Sequence, residues 1–554
     1  MDNGPIPSQS AEPSALASPP AAETVASHQQ ARPVWSSVPS VWPLAAILIC
    51  QAILSARLLH ADTAFQDEAT YIWAGHLQWS SWLHGNQIPP FSAYFSGAPV
   101  IYPPLAALAD NLGGLGAARL LSLIFMLGAT SLLWSTTRRL FGRQAAFFAS
   151  ALFALLGPTL HLGAFATYDA MSVFLIATAG WLVVRARERK DATGWMIAVG
   201  VVLALANFTA YSSALFDVVV ILLAFLLVAP ELGNRLAATR SLTILIIVLV
   251  VLGAGLLIGG SNYAHGLDIT TLQRVPGGAS ALAVVRDAWE WTGVVVVAAL
   301  CGVVISWLRG EGRWHTGLLG LLTLAAVLGP LEQARLHTAA SLNKHVGLGA
   351  WFAAIAAGYA VDRLISAAPA GRTQAITCGA CVVALALPFS LGASQSKTFS
   401  SDWPNSKDFV AILGPLVQKI PGHLLVEDPT VAEYYLRSES QWQRWSSTRN
   451  IVLPSGASSG GPSTSAGVIG PGNAGTFGTK IEEHYFSLVA LNFIDTTPLD
   501  HQITTDLRES HHYCVLQVVP FGMNVPPIGV GSYVIWQYQA GPVTGNAPSG
   551  WNCQ

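Results

Sequence analysis

The stretch Ser241-Leu-Thr-Ile-Leu-Ile-Ile-Val-Leu-Val-Val-Leu-Gly-Ala-Gly-Leu-Leu-Ile-Gly259 contains no charged residue. As a helix it would rise about 1.5 Å per residue and nearly match a hydrocarbon core of about 30 Å. Working outward, similar apolar runs recur at 42–60, 118–136, 144–161, 170–185, 193–209, 213–230, 292–308, 315–330, 346–363 and 373–391. Composition agrees: 52% of the 554 residues are hydrophobic and only 10% charged, against about 25% charged in a soluble domain. The reading is a polytopic α-helical membrane protein with about eleven transmembrane helices. The net charge of -2 offers no basic excess for nucleic acid.

Short-loop charges orient the spans. Arg138, Arg139 and Arg143 follow the second. Arg185, Arg187, Arg189 and Lys190 follow the fourth, and Arg235 and Arg240 the sixth. Arg309 and Arg313 follow the eighth, and Arg363 and Arg372 the tenth. Every second loop is basic, which predicts that these loops and the N-terminus are cytoplasmic. The loops 61–117, 162–169, 210–212, 260–291 and 331–345 then face outward, as does everything after an odd number of spans.

Residues 1–40 are rich in Pro, Ala, Ser and Gln and read as a disordered cytoplasmic tail. From 393 to 554 the apolar runs shorten, as in Leu424-Leu-Val-Glu427 and Tyr533-Val-Ile-Trp-Gln-Tyr538, predicting strands of an extracytoplasmic α/β domain. Residues 454–480 read as a flexible loop. Cys50, Cys301, Cys378 and Cys381 sit in apolar runs and read as packing residues; Cys514 and Cys553 could pair if this part is exported. Trp442 and Trp445 suit core packing better than sugar stacking.

Acidic groups beside a membrane are costly unless solvated or paired, so they form a short list of candidates. Asp67 and Glu68 follow the first span, and Asp169 precedes the fourth, all on the outer face. As simple helix caps they would need no function. Paired across helices they could act as a base and an acceptor-positioning group. On the same face stand Arg119, Arg335, His337, Lys344 and His345, cations suited to a phosphate or to lipid headgroups. Segment 68–79 has apolar groups at helical spacing, with Trp73, Trp79 and Trp82 placed for headgroup depth.

Phe65-Gln-Asp-Glu-Ala-Thr-Tyr71 resembles the Asp-Glu loop motif of the GT-C glycosyltransferases, most of all family 39, the protein O-mannosyltransferases and lipid A aminoarabinose transferases. Tyr102-Pro-Pro-Leu105, Gly116-Ala-Ala-Arg-Leu120 and Thr167-Tyr-Asp-Ala-Met-Ser-Val-Phe174 resemble further segments of that family. The likeness covers residues 41–230 well and weakens afterwards. It implies a GT-C catalytic domain over 41–392 and a polyprenyl-phosphate sugar donor. It also implies inverting transfer to an acceptor hydroxyl on protein, lipid or glycan. Asp67 would be the base, Glu68 would support the loop or position the acceptor, and Asp169 would shape the pocket. Arg119, Arg335, Lys344 and His345 would hold the donor phosphate, and Tyr71, Tyr102 and His337 would complete the pocket. No cofactor is implied with certainty, and a divalent metal stays open. One departure stands out: the aminoarabinose transferases carry Glu-Lys before Pro-Pro, where this chain has Ile101-Tyr102. Two other classes compete. A transporter or flippase of a lipid-linked glycan would favour charges deep within spans, and a non-catalytic envelope-assembly protein would tolerate loss of Asp67 and Asp169.

Overall fold

In the computed structural model, residues 41–274, 276–453, 463–464, 467–523 and 530–541 are described. The expected tail over 1–40, residues 454–462 of the expected loop, and Cys553 lie outside them. The first part of the chain is helical: α1 (Trp42–Ala56), α2 (Gln66–His84), α3 (Tyr102–Phe141), α4 (Arg143–Ala154), α5 (Gly157–Leu162), α6 (Tyr168–Ala186) and α7 (Thr193–Thr209). There follow α8 (Asp217–Leu232), α9 (Asn234–Thr270), α10 (Ala281–Leu308), α11 (Arg313–Arg335), α12 (Leu342–Ala367), α13 (Arg372–Ala384) and α14 (Ala386–Phe399).

Among the described residues, eight segments are long and apolar enough to cross a membrane, the last combining α13 and α14; α1 and α7 are shorter apolar helices. The run expected to span at 144–161 is instead broken, α4 ending at Ala154 and α5 starting at Gly157 with Pro158 in its first turn. Two helices bend at glycines. Gly113 and Gly114 (φ +66°) split α3 into an outer arm and a span, and Gly260 (φ +69°) does the same near the end of α9. The outer segment expected over 61–117 is therefore largely helical: α2 packs against the outer arm of α3. A Cβ on Gly75 would lie 2.0 Å from the Pro103 carbonyl oxygen, and the Trp79 indole donates to Pro104 O at 3.0 Å. The Pro-Pro motif thus starts α3 and docks α2.

The most buried span is α12, which packs against α10, α11, α4 and α6. Small residues make this possible, as in membrane helices generally, where close backbone approach drives packing. A Cβ on Gly358 would stand 2.3 Å from Ala145 O, and one on Gly349 2.3 Å from Ala325 O. The Trp351 indole donates to Ala129 O at 3.0 Å. At one end of the bundle the basic loops meet. The Arg240 guanidinium donates to the carbonyls of Ala186 and Arg187, and Arg309 to that of Arg363. Asp169 stands at the opposite end of α6 from Arg185.

After α14 the chain forms α15 (Lys407–Lys419), α16 (Thr430–Tyr435), α17 (Ala474–Glu482) and α18 (Thr497–Glu509) around two sheets. The strands are β1 (His423–Val426), β2 (Trp445–Ser446), β3 (Asn450–Leu453), β4 (Ser463–Thr464), β5 (Gly467–Pro471), β6 (Phe486–Leu491), β7 (Tyr513–Gly522) and β8 (Val530–Tyr538). The larger sheet runs β2-β1-β6-β8-β7, parallel at β2-β1-β6 and antiparallel at β6-β8-β7; β3-β5-β4 form the smaller. Both faces of the large sheet are covered. Leu424 and Val426 pack with Phe409 and Leu413 of α15, while Leu425 packs with Ile481 of α17 and Ile503 of α18. This is why β1 reads as an unbroken apolar run. Strands β4 and β5 and most of α17 fall within 454–480, where a flexible loop was expected. Cys514 is disulfide-bonded.

One buried ion pair ties the outer loop together. Glu68 (0% exposed) receives Arg119 Nε at 2.8 Å and Nη2 at 2.7 Å, and the backbone N–H of Phe65 and Ala166 at 3.0 and 2.8 Å. Arg119 spends its other donors on the carbonyls of Leu59, Asp62 and Thr63. Removing one partner of such a pair leaves a buried charge uncompensated, at a cost of about 3–5 kcal/mol. Arg119→Leu should therefore lower the thermal midpoint of the detergent-purified protein sharply. Arg335→Leu, at an exposed ion pair, should leave it nearly unchanged. Likewise Gly358→Leu should destabilise, by roughly 1–3 kcal/mol or more, while Gly379→Leu, with nothing within 4 Å, should not.

Candidate active site

Where α2, α6, α11 and α12 end on the side opposite the basic loops, a cavity of about 650 Å³ opens between the helices and the sheet-bearing part. Asp67, Tyr71, Tyr168, Tyr211, Lys344 and His345 line it, together with Arg274, Glu332, Gln333 and Arg449. The local sequence explains the placement. Asp67 lies in the first turn of α2 and Asp169 in the first turn of α6, where a carboxylate meets the positive end of the helix. Lys344 lies in the first turn of α12.

The three converge. Lys344 Nζ stands 2.5 Å from Asp67 Oδ2 and 3.8 Å from Asp169 Oδ2. The lysine side chain is 6% exposed and that of Asp169 4%, whereas Asp67 keeps 30% toward the cavity. Asp169 Oδ2 is buried without a hydrogen-bond partner among the described residues, and its Oδ1 lies 4.0 Å from His345 Nε2. Gln333 Nε2 contacts His345 Nδ1 at 2.6 Å, fixing the ring. Tyr71 packs on Tyr168, ring centroids 4.6 Å apart, and edge-on to Phe95 at 4.9 Å. Burial, then the nearby Asp67 charge, pushes its phenol well above the ordinary range, so it stays a proton-bearing group.

The expected site residues divide into two sets. Asp67, Tyr71, Asp169, Lys344 and His345 come together. Glu68 and Arg119 face each other beneath the loop, occupied by the contacts described above. Tyr102 is fully buried, 3.4 Å from Ser122 Oγ. Arg335 reaches outward to Glu332 at 2.5 Å and does not line the cavity. His337, in the left-handed region (φ +50°), contacts Ala279 O at 3.2 Å outside it. Two cations not expected from the sequence take their place on the wall, Arg274 after α9 and Arg449 before β3. Arg274 forms no ion pair among the described residues. A sequence cue existed only for Arg274, which lies in an outward loop. Nothing marked Arg449, more than a hundred residues beyond Lys344.

The sheet-bearing part is fastened over the cavity by polar contacts. Asp110 in the outer arm of α3 accepts from Tyr434 Oη at 2.6 Å and Arg437 Nη2 at 3.0 Å, and meets His76 Nε2 at 2.7 Å. Ala64 N donates to Tyr435 Oη at 2.9 Å, and the Trp403 and Trp442 indoles donate to Thr63 O and Gln87 O. Trp442 is thus committed to this joint. Among the described residues no group of three or more His, Cys, Asp or Glu side chains is arranged to hold a metal ion.

A family model described as dolichyl-phosphate-mannose-protein mannosyltransferase matches residues 99–255. That range includes Arg119 and Asp169 but neither Asp67 nor Lys344. No curated protein matches the sequence significantly. Among solved structures, ArnT from Cupriavidus metallidurans bound to undecaprenyl phosphate superposes with TM-score 0.55 at 13% identity, covering 90% of this chain and 98% of its own. An Archaeoglobus fulgidus oligosaccharyltransferase in complex with zinc and sulfate gives 0.53 at 15% identity, over 88% of this chain and 72% of its own. The A. fulgidus oligosaccharyltransferase AglB with an inhibitory peptide and a dolichol-phosphate gives 0.51 at 12%, over 89% and 74%. This multi-pass membrane chain thus has the fold of these GT-C glycosyltransferases, and over residues 99–255 it is similar to the mannosyltransferase family.

Proposed function

We propose that the chain transfers a monosaccharide from a polyprenyl-phosphate donor to an acceptor hydroxyl, on the extracytoplasmic face. The observation that carries this is the single lysine shared by Asp67 and Asp169, from two separate motifs, in one cavity at the membrane boundary. Neighbours of the same fold were solved with undecaprenyl phosphate and with a dolichol-phosphate, which supports a lipid-linked donor. The basic loops gathered at the other end of the bundle support an outward-facing cavity, and so does the disulfide at Cys514, since disulfides persist in oxidising compartments.

The chemistry follows from the geometry. The acceptor oxygen forms a bond to the anomeric carbon as the bond from that carbon to the phosphate oxygen breaks. The phosphate leaves with the electron pair, and the acceptor proton passes to Asp67. Attack from the face opposite the phosphate inverts the centre. Lys344 links the two halves: a phosphate entering the cavity competes with Asp67 for the ammonium, so donor binding frees the base. Developing charge on the leaving phosphate is met by Lys344 and by Arg274 at the wall. Asp169 is the lysine's second acidic neighbour, and His345 stands beside Asp169.

The zinc-bound neighbour raises the question of a metal. Here Asp67 and Asp169 share the Lys344 ammonium, and two carboxylates with a lysine between them do not fit a divalent ion, which that cation would repel. A transporter would need a path through the bundle, whereas these charges sit at one end of it.

Asp67→Asn should abolish consumption of a polyprenyl-phosphate sugar while membrane insertion stays intact; full activity in that variant would end the base assignment. Lys344→Met should cost on the order of 10²–10³-fold in turnover, the size of losing one preorganised charge contact. Treatment of the active protein with EDTA should leave turnover unchanged. Loss restored by a divalent ion would show that Lys344 does not stand in for a metal.

A further inference from the structure

The helices alone do not close the cavity. Arg449, on the turn leading into β3, reaches its wall from the sheet-bearing part. Its guanidinium meets Asp495 Oδ2 at 3.5 Å, a long contact that leaves most of its five donors without a partner among the described residues, and the side chain is 61% exposed.

Its position is set by one buried carboxylate. Glu427 (3% exposed), just past β1, accepts five consecutive backbone N–H groups: Asn492 at 2.7 Å, Phe493 at 2.6 Å, Ile494 at 2.9 Å, Asp495 at 2.5 Å and Thr496 at 3.2 Å. Such a concave run of amides is the usual receptor for an anion, and here the chain fills it with its own. Phe493 adopts φ +62° to make the ring of donors, a left-handed conformation uncommon for an aromatic residue. The Glu427 carbonyl in turn accepts the Thr448 hydroxyl at 3.2 Å, and Thr448 Oγ1 receives Thr496 Oγ1 at 2.7 Å. The segment bearing Asp495 and the turn bearing Arg449 are therefore fastened to the same residue.

Charge on the cavity wall points to what Arg449 is for. Of the lining acids, Asp67 is taken by Lys344 and Glu332 by Arg335. Arg274 has no ion-pair partner among the described residues and Arg449 only the long one. The wall thus presents the Arg274 and Arg449 guanidiniums with few partners among the described residues, groups suited to phosphate or carboxylate oxygens.

We infer that Arg449 is an anion-contacting residue of the transfer site, supplied by the sheet-bearing part and positioned by Glu427 through Asp495. This rests on the transferase reading above. The anion is the donor phosphate or an acidic group on the acceptor, and kinetics separate the two.

The test uses the full chain with a polyprenyl-phosphate sugar that it consumes, varying donor and acceptor in turn. Arg449→Gln should raise KM for one substrate by about tenfold, the scale of a lost charge-assisted hydrogen bond, with kcat little changed. A rise for the donor identifies its phosphate; a rise for the acceptor identifies an acidic acceptor group. Arg449→Lys should recover part of the loss, since it keeps the charge but not the fork. Asp495→Asn should shift the same KM by a few-fold, and should have no further effect in the Arg449→Gln background. Unchanged KM for both substrates in an active Arg449→Gln protein would overturn the inference alone. An undiminished Asp495→Asn effect in that background would overturn the positioning route. A wild-type chain that consumes no polyprenyl-phosphate sugar would remove the transferase reading and the inference with it.

Discussion

The Lys344 ammonium is the interaction on which the site depends. An isolated ammonium with 6% exposure would cost several kcal/mol in lost hydration. Asp67 and Asp169 offset that cost, and in doing so they tie the first turns of α2, α6 and α12 to one point. Two carboxyl groups share one lysine, which lies closer to Asp67 than to Asp169. Arg274 and Arg449 on the same wall give the arrangement a cationic rim. In the proposed transfer the donor phosphate would meet the cationic rim and the acceptor hydroxyl, on a second molecule, would meet Asp67.

Around that point the fold separates a buried, fully bonded acid from one that faces the cavity. Glu68 is adjacent to Asp67 in sequence, yet it points beneath the loop, where four donors fix it, two of them from Arg119. Asp67 points into the cavity. A helix start makes this division natural, because neighbouring residues of the first turn project about 100° apart. The buried pair holds the outer loop rigid, so that the exposed acid beside it keeps its aim. On the far side, Asp110 performs the matching task for the sheet-bearing part, receiving donors from α16 and the segment after it.

Much of this was legible in the chain. Apolar run length marked the spans because a bilayer demands a fixed length of apolar helix. Loop charge gave an expected sidedness, and the acids Asp67 and Asp169 stood out because carboxylates are rare beside hydrocarbon. The misses have physical causes as well. Run length cannot see a break such as Leu155-Leu156 between α4 and α5, since a broken helix and an intact one share their composition. Gly- and Ser-rich sequence at 454–480 looked like a loop, although β5 and α17 form there by pairing and packing against distant partners. Arg335 and Lys344 looked alike as outer-face cations. Only tertiary structure shows one paired with Glu332 at the surface and the other buried between two acids.

Arg449 exposes the deepest limit of reading by position. A residue's chemistry here is set by what is brought to it across the whole chain, and the carrier is a strand order. Because β1 lies between β2 and β6, Glu427 at the end of β1 stands beside both the turn after β2 and the loop after β6. The parallel β2-β1-β6 arrangement puts those two connections at the same edge of the sheet, as parallel strands generally do with the segments following their carboxyl ends. Asp110, Tyr434 and Arg437 then fasten that part to the outer arm of α3, so that this edge meets the cavity. The sheet-bearing part is in this sense a wall of the site, and the membrane helices are the other wall.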